Sequence, residues 1–137
     1  MIYDVRWKQR FENFDRAVVL LREPIELGID TLSNLEKEGM VQRFELALEL
    51  AWKTLKDYLE YEGLEIKPVT PRTVIKAAFT ARILKDGKIW IDMLDHRILL
   101  SHNYDLVTFE NAVLAISKHY LPAIEDLHEW LIIKMQE

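Results

Sequence analysis

Arg97 and His102 lie five residues apart in the stretch DHRILLSHNYD, residues 95 to 105. Histidine titrates near neutrality, so it can both take and give a proton. Arginine presents a planar fork of donors that suits a phosphate. A phosphodiester cleaved through its own 2′-hydroxyl needs both functions. One group moves protons at the attacking or leaving oxygen, and another stabilises charge on the phosphoryl oxygens. That route needs no metal and no cofactor. Asp95, Ser101 and Asn103 stand beside the pair as supporting polar groups, and Tyr104 follows two residues after the histidine. The plainer reading is a polar helix end, where an arginine and a histidine complement the macrodipole. Arg-x4-His is too short a pattern to decide between them.

The spacing constrains how the pair works. On a straight helix, five residues separate the two side chains by roughly 140°. Convergence needs the helix to end near His102, which Asn103 permits, or a second copy of the chain to complete the site. Tyr104, seven residues from Arg97, shares the arginine's face if the helix continues. Elsewhere, Asp92 and His96 share a face, but two ligands do not make a metal site. Glu45 and Glu49 also share a face and read as a salt-bridged edge rather than an acid pair. Trp7, Trp52, Trp90 and Trp130 have helical spacing that assigns most of them to the core. Trp90, just before the motif helix, is the best candidate to stack on a base. Lys53 and Lys56 read as a solvated face, and His119 and His128 as surface or packing residues.

The elements that must position these groups are helices. From Tyr3 to about Leu35, Trp7, Phe11, Phe14, Val18, Leu21 and Ile25 form one face. Pro24 is expected to kink or split this segment. A turn is expected at KEG, residues 37–39. The next helix runs from Met40 to Gly63, with Val41, Phe44, Leu48, Ala51, Leu55 and Leu59 as its apolar stripe. Lys53, Lys56, Asp57 and Glu60 lie mostly off that stripe. Gly63 ends it as a C′ residue. Thr70-Pro71 starts a third helix that continues through TVIKAAFTARIL to KDG. A fourth is KIWIDMLDHRILLSH. A fifth segment from about Leu106 carries Val113, Ile116, Tyr120, Ile124, Leu127 and Leu131, with a bend at Pro122. No strand alternation is visible. The expectation is a single domain over 1–137, an all-α antiparallel up-and-down bundle of four to five helices.

Composition narrows the function. Half of the 137 residues are hydrophobic and the net charge is −5, as in a globular protein without a broad basic face for duplex DNA. With no cysteine, thiolate metal sites and cysteine nucleophiles are excluded. No run approaches the roughly 20 apolar residues of a membrane span, and the first residues carry no apolar leader. A cytoplasmic protein is expected.

RILLSHNY resembles the R-x4-H-x-Y signature of HEPN-domain toxins, which pair with a minimal nucleotidyltransferase antitoxin. QRFELALELAWKTLKDYLEYEG (42–63), PRTVIKAAF (71–79) and DGKIWIDMLDHRILLSHNYD (86–105) resemble the nucleotidyltransferase substrate-binding protein family, to which those toxins belong. The resemblance implies a HEPN-like bundle that forms a homodimer with the two motifs facing each other. It implies a metal-independent ribonuclease with Arg97 and His102 as the catalytic pair and RNA as substrate. It also implies Tyr104 as the acceptor of AMP from the nucleotidyltransferase, which silences the toxin. Relatives often carry polar residues where this chain has Ile98 and Leu100. That departure, with the family's name, sustains an alternative: a non-catalytic adaptor that docks the nucleotidyltransferase and presents nucleotide or substrate to it.

Overall fold

The computed structural model describes residues 2–102 and 105–137. Among them there are helices and turns and no strand. Six α-helices follow in order: α1 (Ile2–Leu27), α2 (Asn34–Tyr61), α3 (Pro71–Thr80), α4 (Gly87–His102), α5 (Leu106–Ala115) and α6 (Leu121–Gln136). The bundle expected from sequence is present. Its closest pairing is α1 along α2; α3 packs on α2 and α4, and α6 returns along α1.

The apolar stripes close on one core. Trp7, Phe11, Phe14, Val18 and Leu21 of α1 are buried, as are Val41, Phe44, Leu48, Ala51, Leu55 and Leu59 of α2. The long α2 stripe is met by Val113, Ile116, Tyr120, Ile124, Leu127 and Leu131 from the C-terminal segment, all buried. Each helix therefore buries the face that its sequence period marks out, the main favourable term in forming the bundle.

Several boundaries differ from the sequence reading. The first turn comes earlier than KEG. Gly28 takes a positive φ of 94°, a short 3₁₀ turn covers Ile29–Thr31, and α2 begins at Asn34. Its start is a capping box: the Glu36 N–H donates to Ser33 Oγ at 3.1 Å, and the Ser33 N–H donates to Glu36 Oε1 at 2.8 Å. These bonds satisfy orphan donors of the first turn and draw residues 37–39 into the helix. Pro24 does not split α1, which continues to Leu27.

The third helix stops at Thr80 rather than running through Leu84. Arg82 adopts φ 63°, and the Ile83 N–H donates back to the Ala78 carbonyl at 2.9 Å. This left-handed exit turns Ile83 and Leu84 into the core, where both are buried. The interruption expected at Pro122 takes the form of a π-helical turn over Ile116–Tyr120 just before it. Proline has no N–H for the carbonyl four residues back, so the α-helical ladder is interrupted there.

Two side chains are placed differently from expectation. Asp57, expected off the apolar stripe, is 1% exposed. Arg10 of α1 reaches it, donating Nε to Oδ2 at 2.9 Å. Trp90, expected as the exposed aromatic, is buried, because α4 turns that face inward with Met93 and Leu94.

Candidate functional site

A cleft of about 690 Å³ opens between α2, the start of α3 and α4. From α2 come Glu45, Glu49 and Trp52, three residues at helical spacing along one edge. From the start of α3 come Thr70 and Arg72. From α4 come Arg97, Ile98 and Ser101. Each wall is set by local sequence. Thr70 caps α3 by accepting the Thr73 N–H at 3.1 Å, and Pro71 occupies the first turn, where no N–H is needed. On α4, Leu94 and Leu100 turn inward while Arg97, Ile98 and Ser101 face the cleft or its rim. Ile98 is exposed and Leu100 is buried, so the apolar residue at position 100 serves the core.

Glu49 organises this cleft. Arg97 donates an N–H to Glu49 Oε2 at 2.5 Å. The Trp52 indole N–H donates to the same oxygen at 3.1 Å. Lys53 Nζ lies 3.1 Å from Oε1. Burial opposes ionisation of Glu49, but the bonds from Arg97, Trp52 and Lys53 outweigh it and hold its pKa down to about 2. One turn earlier, Glu45 behaves in the opposite sense. Burial pushes its pKa up, against the pull of Arg97. Two carboxyl groups on one face are thus driven apart, a pattern that marks clefts with chemical work to do as well as structural ion pairs.

The residues expected from sequence are only partly brought together. Arg97 and Ser101 line the cleft. Ser101 donates its hydroxyl to the Ile98 carbonyl at 2.7 Å. Asp95 is exposed and accepts from Arg72 at 2.7 Å, so it steadies the α3 wall rather than the motif itself. His102 is the last residue of α4, exposed and not among the residues that line the cleft. α4 is helical as far as His102, so the five-residue spacing sets the Arg97 and His102 side chains off in directions roughly 140° apart around the helix. Asn103 and Tyr104 lie outside the described residues.

The remaining candidates have other partners. Asp92 pairs with Lys88 at 3.0 Å, and His96 Nδ1 is hydrogen-bonded to the Tyr120 hydroxyl at 2.5 Å. Burial first, then the charges of Asp92 and Asp95, push Tyr120 up to about 12, so its proton stays in place. Lys56 bridges to Glu60 at 3.0 Å. His128 is buried and bonded to Asp15 at 2.6 Å, while His119 is exposed. Glu49, Trp52 and Arg72 are the cleft residues that the motif did not point to. Glu49 and Trp52 stand three apart, a spacing compatible with contact, but Arg97 is 48 residues away from Glu49 and no local pattern joins it to them.

The acid stability of the fold should report the Glu49 network. A carboxylate whose folded pKa is depressed contributes stability that is present above its ordinary value and lost as pH falls through the folded value. For Glu49 the window runs from 4.5 down to about 2. Urea midpoints of the wild type should therefore fall across the accessible part of that window. In Glu49→Gln this component should be missing and the profile flatter. Parallel profiles for the two proteins would refute the depressed pKa.

Residues 9–132 match the family model described as nucleotidyltransferase substrate binding protein like. The chain belongs to this family. It is also similar to a protein of known crystal structure from Thermus thermophilus. The two share 31% identity with a TM-score of 0.69, over 90% of this chain and 99% of the other. Among curated proteins there is no match. Among the described residues, no helix is long and apolar enough to cross a membrane.

Proposed function

We propose that this chain is the substrate-binding partner of a nucleotidyltransferase. In this reading the cleft between α2, α3 and α4 holds substrate, and the stretch after α4 presents the Tyr104 hydroxyl to the enzyme as an AMP acceptor. The carrying observation is the state of Arg97. It is tied to Glu49 inside the protomer, at a cleft from whose lining His102 is absent. That arrangement suits binding better than a proton-transfer pair in one chain. The family description agrees with it.

A ribonuclease reading is favoured by one feature, the exposure of His102 at the very end of α4. There it is open to the Arg97 of a second copy, in a homodimer whose motifs face each other. His102 would take the 2′-hydroxyl proton as that oxygen bonds to phosphorus and the P–O5′ bond breaks, and the imidazolium so formed would give a proton to the departing 5′-oxygen, leaving a 2′,3′-cyclic phosphate and a 5′-hydroxyl. Arg97 would stabilise the phosphoryl charge. AMP on Tyr104 would add a bulky anion two residues along the chain from His102 and silence the toxin.

One experiment tests both readings. The chain is mixed with a minimal nucleotidyltransferase from the same genome, ATP and Mg²⁺. A stable complex is expected on light scattering, with one or more AMP units per chain on intact-mass spectra. Tyr104→Phe should form the complex without gaining mass. No complex and no mass gain would overturn the partner reading. RNA incubated with the unmodified chain in chelator separates the second reading. A 2′,3′-cyclic phosphate product that disappears in His102→Ala and in Arg97→Ala would establish it, and intact RNA would remove it.

A further inference from the structure

We propose that the cleft between α2, α3 and α4 is a nucleoside-phosphate site within one protomer. The Trp52 ring is the platform for the base, Arg72 and Arg97 take the phosphate, and Glu49 is an internal carboxylate that occupies Arg97 until the phosphate arrives. The inference rests on the substrate-binding reading above and names the substrate class.

The size fits: about 690 Å³ lies within the range of pockets that enclose small organic ligands. Trp52 is half-buried, and its indole N–H is held by Glu49, so the ring is fixed before a ligand enters. A fixed aromatic face accepts any base by stacking. Two guanidinium groups from different helices line the same cleft, Arg72 from α3 and Arg97 from α4. Arg72 donates to Asp95 at 2.7 Å and Arg97 to Glu49 at 2.5 Å. A guanidinium carries five N–H donors, so Arg72 keeps donors for phosphate oxygens beside its bond to Asp95, and Arg97 turns its engaged donor to the phosphate when Glu49 yields.

The alternatives fit less well. Inorganic phosphate alone leaves the Trp52 platform unused. A cationic ligand finds Glu49 already engaged by three donors. A nucleoside phosphate uses the aromatic face and both arginines together. Glu49 then sets the threshold for binding. It is ionised at neutral pH, sits on Arg97, and must yield to the incoming phosphate. An empty site therefore keeps its arginine neutralised and in place, and the carboxylate competes with weak anions.

The test is calorimetric titration of the full-length chain with AMP, read alongside Trp fluorescence. One saturable site per chain is expected. Trp52→Leu and Arg97→Met should each weaken binding about tenfold or more, as loss of a base stack or a charged phosphate contact does. Arg72→Lys, a mild change at a half-exposed position, should weaken it severalfold by loss of the planar fork. Glu49→Gln should bind AMP severalfold tighter, because the competitor is neutral. Adenosine and inorganic phosphate alone should each bind far more weakly than AMP. Competition by a 5′-phosphorylated oligoribonucleotide separates the two sources of the same chemistry. Displacement of AMP assigns the site to a strand nucleotide, and no displacement assigns it to a free one. The proposal is overturned by no saturable AMP binding at millimolar concentration, by unchanged affinity in folded Trp52→Leu and Arg72→Lys, or by weaker binding in Glu49→Gln. A chain that forms the nucleotidyltransferase complex but ignores AMP would lose this proposal and keep the partner reading. AMP binding without the complex would do the reverse.

Discussion

Phe44→Ala is expected to destabilise the fold by about 3–5 kcal/mol, the usual cost of truncating a fully buried aromatic side chain. Phe44 is 0% exposed near the middle of α2. It stacks on Tyr120, with ring centroids 5.4 Å apart and planes 20° off parallel. Tyr120 in turn is hydrogen-bonded to His96 of α4. Truncation removes buried apolar area, leaves a cavity that rigid helices cannot close, and withdraws the support of the Tyr120 ring. The consequence should reach α4, which carries Arg97. The denaturant midpoint should drop while the slope holds, since the surface exposed on unfolding is nearly unchanged. Leu46, two residues on but 48% exposed, is the control; Leu46→Ala should cost well under about 1 kcal/mol. Similar losses for the two variants would mean that α2 is not seated on the face described.

Arg10→Met is expected to cost about 2–3 kcal/mol, somewhat below the usual penalty for orphaning a buried charge. Asp57 is almost fully buried and accepts from Arg10 Nε at 2.9 Å, a tie from α1 to α2. Removing one partner of a buried pair leaves the other charge without compensation, which costs about 3–5 kcal/mol. Here Lys56 Nζ, 3.5 Å from the other carboxylate oxygen, remains and moderates the loss. The double variant Arg10→Met, Asp57→Leu should recover most of it, because two apolar side chains remove the buried charge altogether. A double variant no better than Arg10→Met would show that the pair itself, rather than the orphaned charge, carries the energy.

The contrast between Asp57 and Trp90 shows what a helical pattern conveys. A stripe of apolar residues tells which face is buried, because burial of that face is what stabilises the helix in the bundle. It is silent on a polar residue at the edge of the stripe. Asp57 went inward because an arginine from α1 was there to meet it, and Trp90 went inward because α4 packs on its other neighbours. Arg97 shows the same limit at the candidate site. Its type and its spacing to His102 suggested a phosphate-handling pair. Its actual partner is Glu49, from a different helix.

Local chemistry did determine much. The helical period of the apolar residues, the Thr70-Pro71 start, the Gly63 stop and the lack of strand alternation were enough for an all-α bundle. They placed α2, α3 and α4 in order, since these features act within a turn or two of chain. The Ser33 and Glu36 capping box was equally local, and it overrode the apparent turn at 37–39. Tertiary structure decided the rest. It set the cleft, the convergence of Arg72, Arg97, Glu49 and Trp52 on it, and the absence of His102 from its lining. Those relations depend on how whole helices are rotated and packed against one another. That rotation is set by the summed fit of the buried faces, which no short stretch of sequence contains.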